Sequence, residues 1–266
     1  MAEQIEEHRE QPVFWQEFPY EGTPALYIHG VPNSSDMWLP FLKRTGGLAP
    51  DLPGFGRSGK RADLAYDMPF YDEWIEMFLE WRGIEKVNLV VHDWGAVGLL
   101  WAQRFPERVE RLVICDAAPL FPGYAPHGFA KAARTPWLGE LAMGALSVHR
   151  LSKRMLRKSN VKPLPPSFFQ SVIPQFDQGT QRAILKLYRS VGPGDLERAG
   201  ENLGGIDCPA LVVWGCEDPY VPPAFAAAFA EALGGQADVT LLEDAGHWPW
   251  LDSPEVIDEV TEFLTA

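Results

Sequence analysis

Short apolar or β-branched runs alternate along this chain with longer stretches whose apolar positions recur three and four residues apart. Ala25 to Ile28, Val87 to Val91, Arg111 to Ile114, Leu211 to Trp214 and Val239 to Leu242 read as strands, each a brief run between polar or turn residues. Tyr71 to Trp81, Val97 to Phe105, Phe225 to Leu233 and Val256 to Leu264 carry the spacing of helices laid on a sheet. This alternation in both halves predicts an α/β fold with a mostly parallel, doubly wound sheet. From about Leu120 to Leu203 the rhythm breaks, and helix formers, basic residues and prolines take over. Pro119 and Pro122 mark the entry to that region, and Gly204, Gly205 and Pro209 its exit. The expected organisation is a core in two parts, 1–119 and 204–266, interrupted by a helical insertion at 120–203.

A length of 266 residues suffices for one well-buried core plus such an appendage. The formal charge of −13 would repel phosphate backbones and anionic lipid surfaces, so neither nucleic acid nor a membrane is expected as a partner. Glu3, Glu6, Glu7 and Glu10 read as a flexible, solubilising terminus. Arg150, Lys153, Arg154, Arg157 and Lys158 read as the solvated face of a helix in the insertion. Cys115, Cys208 and Cys216 have neither a paired nor a metal-ligand spacing and suggest buried reduced thiols, with no metal site. Without a basic-then-apolar leader or an apolar run near ~20 residues, a cytoplasmic location is expected.

The chemistry gathers at three strand ends. His92, Asp93, Trp94 and Gly95 follow one strand and precede a helix, the place of the nucleophile elbow G-x-S-x-G, with Val91 instead of the first glycine and Asp93 instead of serine. An aspartate there suits a helix cap equally well. As a nucleophile, a carboxylate displaces a leaving group at sp³ carbon and becomes a covalent alkyl ester. Asp218, in the segment Trp214 to Pro219, and His247, after Gly246, each follow a later strand. The order nucleophile, acid, histidine is that of a hydrolase triad, and loops at the carboxyl ends of parallel strands converge on one crevice. Asp116 also follows a strand and is the alternative acid. The backbone N–H groups of Val31 and Trp94 are the expected oxyanion hole. Asp51 to Ser58 supply a glycine-rich turn whose expected role is to shape a tight loop.

His29-Gly30-Val31-Pro32, Asp51 to Ser58, His92-Asp93-Trp94-Gly95, Trp214 to Pro219 and Gly246-His247 together resemble the α/β-hydrolases, and within them the haloalkane dehalogenase and epoxide hydrolase branch. The resemblance implies that the insertion is a helical cap supplying groups to the leaving atom, that no cofactor is needed, and that the partners are a small apolar organic substrate and water. It implies leaving-group roles for Trp94, Trp137 and Tyr188, a donor set that suits a halide and puts a dehalogenase first. An epoxide hydrolase is the alternative, and needs a second cap tyrosine, which Tyr124 supplies only by folding back into the pocket. A non-hydrolytic relative that merely binds an apolar ligand is the second alternative. Small haloacids are disfavoured, because Trp94 and Val97 stand where haloacid-cleaving relatives carry arginines.

Overall fold

The computed structural model describes residues 2–8, 11–147 and 149–266. Its strands are β1 (Ala2–His8), β2 (Gln11–Phe18), β3 (Ala25–Ile28), β4 (Gly47–Pro50), β5 (Val87–His92), β6 (Val109–Cys115), β7 (Ala210–Gly215) and β8 (Ala237–Leu242). They form one sheet in the order β1-β2-β4-β3-β5-β6-β7-β8, in which β1 and β2 run antiparallel to their neighbours and all other pairs are parallel. All six residues of β5 and all six of β7 are buried, as expected of central strands covered on both faces. The register sets Ile28 beside Val91, Val91 beside Ile114 and Ile114 beside Val212, so β3, β5, β6 and β7 end together at one rim.

The helices are α1 (Leu39–Thr45), α2 (Met68–Arg82), α3 (Val97–Arg104), α4 (Gly128–Arg134), α5 (Leu138–Leu146), α6 (His149–Leu156), α7 (Pro166–Val172), α8 (Gln178–Ser190), α9 (Asp195–Ala199), α10 (Ala224–Ala232), α11 (Pro249–Asp252) and α12 (Glu255–Thr265). Six of them, α4 to α9, lie in the chain between β6 and β7. Two separate clusters of buried side chains, one around Phe78, Trp101 and Trp214 and the other around Trp38, Phe41 and Trp250, complete the core. No helix among the described residues is long and apolar enough to cross a membrane.

Three strands escaped the sequence reading. The acidic start is not a flexible tail: Glu3, Glu6 and Glu7 belong to β1, paired residue for residue with β2, while Glu10 lies outside the described residues. Backbone pairing holds this edge strand, and its exposed carboxylates guard the sheet edge against further pairing. β4 is only four residues long and contains Gly47 and Pro50, so it carries no strand signature. In the insertion, Lys153, Arg154, Arg157 and Lys158 are exposed, whereas the side chain of Arg150 falls outside those described. All three cysteines are free, but Cys216 is only half-buried.

One buried carboxylate joins the insertion to the core. Asp252, at the end of α11 and 1% exposed, accepts hydrogen bonds from the backbone N–H of Gly246 (2.8 Å), Val161 (3.1 Å) and Lys162 (2.6 Å), and from Asn160 Nδ2 (2.8 Å). His247 N donates to Ser159 O at 2.8 Å beside it. Gly246 must be glycine, since a Cβ would lie 2.3 Å from Ser159 O. Replacing Asp252 with Ala strands several buried donors, so the expected loss is about 3 kcal/mol in chemical denaturation. Asp258→Ala, which removes only an exposed pair with Arg44, should cost under ~1 kcal/mol. Equal losses in the two variants would show that the Asp252 junction holds nothing.

Candidate active site

Where β5 ends, the chain turns sharply at Asp93, whose φ of +52° lies in the left-handed region that non-glycine residues rarely adopt. Bonds from Asp93 N to Asp116 O (3.3 Å) and from Ala118 N to Asp93 O (2.8 Å) hold the turn against β6. The turn needs small neighbours. A Cβ on Gly95 would lie 2.3 Å from Ile28 O, and one on Gly30 would lie 2.3 Å from Asp93 Oδ1. Val91 is accommodated where the elbow pattern has glycine because its side chain packs over Gly98, where an added Cβ would stand only 3.1 Å away.

The Asp93 carboxylate is 8% exposed, and its Oδ1 accepts the Val31 N–H at 2.7 Å. Burial raises its pKa above the usual aspartate value, while the charge of His247 and the backbone amides of Trp94 and Val31 pull the other way. His247 Nε2 stands 3.6 Å from Asp93 Oδ2, and its Nδ1 lies 2.9 Å from Asp218 Oδ2. Asp218 Oδ1 accepts the Tyr220 N–H at 2.7 Å. Burial opposes a charged imidazole, but the Asp218 and Asp93 carboxylates outweigh it and lift the His247 pKa above its ordinary value. The His247 carbonyl is 2.7 Å from Nε2 of buried His92, whose ring centroid lies 4.6 Å from that of His247. Burial keeps His92 neutral, so it donates there as a fixed prop.

Asp116 occupies a different place from Asp218. It is fully buried and takes the Gly215 N–H on Oδ1 at 3.0 Å, whereas the His247 ring bonds to Asp218. Burial, reinforced by the nearby Asp218 charge, pushes its pKa well up and so favours the protonated form of Asp116.

Beside Asp93 and His247 lies a narrow cleft, floored by these two residues and walled by Phe129, Leu146, Leu156 and Ile184 from the insertion. A smaller chamber continues past Asp93 to Trp94, Tyr124, Tyr188 and Arg134. Tyr188, on α8, sets its ring edge-on to Trp94 at 5.3 Å. Its pKa is raised well above the ordinary phenol value by burial and by the Asp93 charge, against the pull of the Trp94 indole, so it remains a proton-bearing donor. Tyr124 does fold back into the chamber, where its hydroxyl donates to Tyr220 O at 3.3 Å.

Trp137 is not in this site. Its side chain is 83% exposed at the turn before α5, with φ +66°. The inward face of α5 is made by Gly139, Met143 and Leu146, and Arg189 fixes the start of that helix through Glu140. Periodicity could not show this, because the residue stands outside the helical repeat. The sequence reading also missed His127 and Tyr220, loop residues in both cavities. His127 Nδ1 accepts the Ala130 N–H at 3.4 Å as the cap of α4. Burial and the charge of His247 lower its pKa to about 4, so it presents a neutral ring to the cleft. A histidine three residues before an amide it caps was the one available signal.

If Asp218 orients His247, Asp218→Asn should slow the histidine-dependent step by about 10³-fold or more, because the imidazole loses the partner that fixes its tautomer and stabilises its charge. Asp116→Asn, at a site where burial already disfavours the charge, should cost less than tenfold. Single-turnover kinetics of both variants would reverse the assignment if the order of losses were inverted.

The chain fits known proteins over most of its length. A family model described as alpha/beta hydrolase fold matches residues 23–254. Among curated relatives, a cis-3-alkyl-4-alkyloxetan-2-one decarboxylase of Xanthomonas campestris pv. campestris is 28% identical over 268 residues, covering 92% of this chain and 88% of the relative. A haloalkane dehalogenase of Mycolicibacterium paratuberculosis is 28% identical over 272 residues, covering 95% and 87%. The solved haloalkane dehalogenase DbeA from Bradyrhizobium elkani superposes with a TM-score of 0.84 at 25% identity, covering 99% of this chain and 97% of that one. With its sheet order, its strained turn after β5 and this match, the chain belongs to the α/β-hydrolase fold family.

Proposed function

We propose that this hydrolase cleaves a carbon–halogen bond in a small apolar substrate, with Asp93 as nucleophile and an alkyl ester as intermediate. The observation that carries the reading is the Asp93 carboxylate itself, fixed by the Val31 N–H, 3.6 Å from His247 Nε2 and facing a largely apolar cleft. Oδ2 attacks carbon and the halide departs toward the Trp94 indole and the Tyr188 hydroxyl. Esterification removes the Asp93 charge, one of the two that raise the His247 pKa, and thus frees the imidazole to act as a neutral base. Water deprotonated by Nε2 then attacks the ester carbonyl, whose oxygen is held by the Val31 and Trp94 amides. Two dehalogenase relatives of similar length support the leaving group. Supporting a hydrolytic role over simple ligand binding is the continuous chain Asp93, His247, Asp218, which a passive binder does not require.

A second reading, epoxide hydrolysis, gains from Tyr124. An opening epoxide needs a proton, and two phenols, the part-buried Tyr124 and the buried Tyr188, line the chamber beside Asp93. Matched panels of haloalkanes and epoxides, read as halide and diol release, decide between the two. For a halide, Tyr188→Phe should be a partial loss and Trp94→Phe a severe one, on the order of 10² in alkylation rate; for an epoxide the severity reverses. Diol without halide release would overturn the first reading.

The shared mechanism has its own test. His247→Gln should accumulate substrate on Asp93, visible as a mass adduct on its peptide, and Asp93→Ala should abolish it. Because Asp93 is held above the usual carboxylate range, the alkylation rate should fall with acid at a pH above ~4, as the nucleophile becomes protonated. Turnover by Asp93→Ala near the wild-type rate would mean another nucleophile.

A further inference from the structure

Between Glu140 and Asp177 the sequence contains no acidic residue, yet it contains Arg150, Lys153, Arg154, Arg157, Lys158 and Lys162, in a chain whose formal charge is −13. This segment includes α6, and α6 borders the entrance to the cleft. An outer vestibule of about 1,440 Å³, open to solvent, is lined by Ala142, Ala145, Arg154, Lys158 and Pro219. It shares His127, Phe129, Leu146, Met155 and Tyr220 with the inner cleft, so the two are one passage from solvent to Asp93. One short stretch of chain, α6 and the turn after it, grades that passage. Leu156, the last residue of α6, is buried and lines the inner cleft with Met155, whereas Arg154, two residues before it, and Lys158, two residues after it, stand exposed at the rim. Among the described residues neither Arg154 nor Lys158 has an ion-pair partner.

We infer that the substrate is amphiphilic: an apolar chain whose reactive carbon reaches Asp93 and whose far end carries an anionic head group, a carboxylate in the simplest case, held at the rim by Arg154 and Lys158. The inference rests on the nucleophile reading and modifies its substrate, which stays apolar at the reacting end and gains a charge at the far one. The charge distribution favours this polarity. The body of the protein repels anions, so the local positive rim is the place where an anion is drawn in, over about one Debye length of roughly 8–10 Å. At the inner end the Asp93 carboxylate repels a second negative charge, so the head group points outward and the apolar end enters first. Such a substrate differs from a small haloacid, whose carboxylate would sit beside the nucleophile. Here chain length separates the two ends.

Binding can be measured without turnover. Calorimetric titration of the wild-type protein with octanoate and with 1-octanol separates charge from chain. In the double variant Arg154→Gln/Lys158→Gln the octanoate dissociation constant should rise on the order of tenfold, within the range of two exposed ion pairs, while that for 1-octanol stays unchanged. Exchanging the cations, Arg154→Lys/Lys158→Arg, should retain octanoate affinity, and raised salt should erase the wild-type advantage. The kinetic arm compares 8-bromooctanoate with 1-bromooctane, and the neutralised variant should raise KM for the acid alone, with kcat held. Octanoate affinity that is indifferent to the rim charges overturns the inference, as does a loss caused only by Arg134→Gln, which would move the anion to the inner chamber. Should neither bromide be cleaved, the halide reading fails, while the titration still decides the inference.

Discussion

A buried carboxylate is tolerable only when its charge is answered by hydrogen bonds, and Asp252 is answered by four N–H donors from two different parts of the chain. One of the four, Gly246 N–H, immediately precedes the triad histidine, and the other three belong to the 160–162 segment of the insertion. The roof of the cleft and the loop carrying His247 are therefore one unit at this edge. Lifting the roof there would break three of the four bonds of a buried charge, which makes it the expensive place to open.

The second constraint is conformational. Asp93 adopts a positive φ that is unfavourable for its residue type, and the surroundings enforce it by giving up side chains at Gly30, Gly95 and Gly98. The strain projects the carboxylate out of the strand line, onto the Val31 amide and within 3.6 Å of His247. His247 is in turn fixed from both sides of its own backbone, its N–H by Ser159 O and its carbonyl by the neutral His92 ring. Such fixation matters because a nucleophile and a base misaligned by 1 Å lose much of their advantage.

How much of this was legible follows from what leaves a pattern. The parallel strands from β3 to β8, β4 excepted, and the helices between them announce themselves by period and by apolar runs, and the order Asp93, Asp218, His247 by position after strands. β1 leaves no such trace, because an edge strand held by its backbone can be almost wholly polar. Trp137 misled for a related reason. Its chemistry fitted a donor, but nothing in a sequence fixes which way a side chain points at a helix junction, and the structure turns it to solvent. Tyr124, His127 and Tyr220 stand on loops without period, and only the folding of the insertion over the strand ends brings them to Asp93.

Moving from the triad outward, the electrostatics change sign, and this ordering has a physical logic. Around Asp93 stand mostly neutral donors, namely backbone amides, an indole, two phenols and an uncharged His127, and Arg134 lines the same inner chamber. Neutral donors stabilise charge that develops on a leaving atom or an ester oxygen without fixing a counter-ion beforehand, so they favour the transition state over the resting carboxylate. Full cations at the same distance would instead pair with Asp93 and weaken it as a nucleophile. Arg154 of α6 and Lys158 just beyond it stand at the rim, where water screens them from Asp93 but would not screen them from the proposed head group in direct contact. On the proposed reading, such a separation of charged recognition from the reacting end would let the chain attract an anion while leaving Asp93 free to attack.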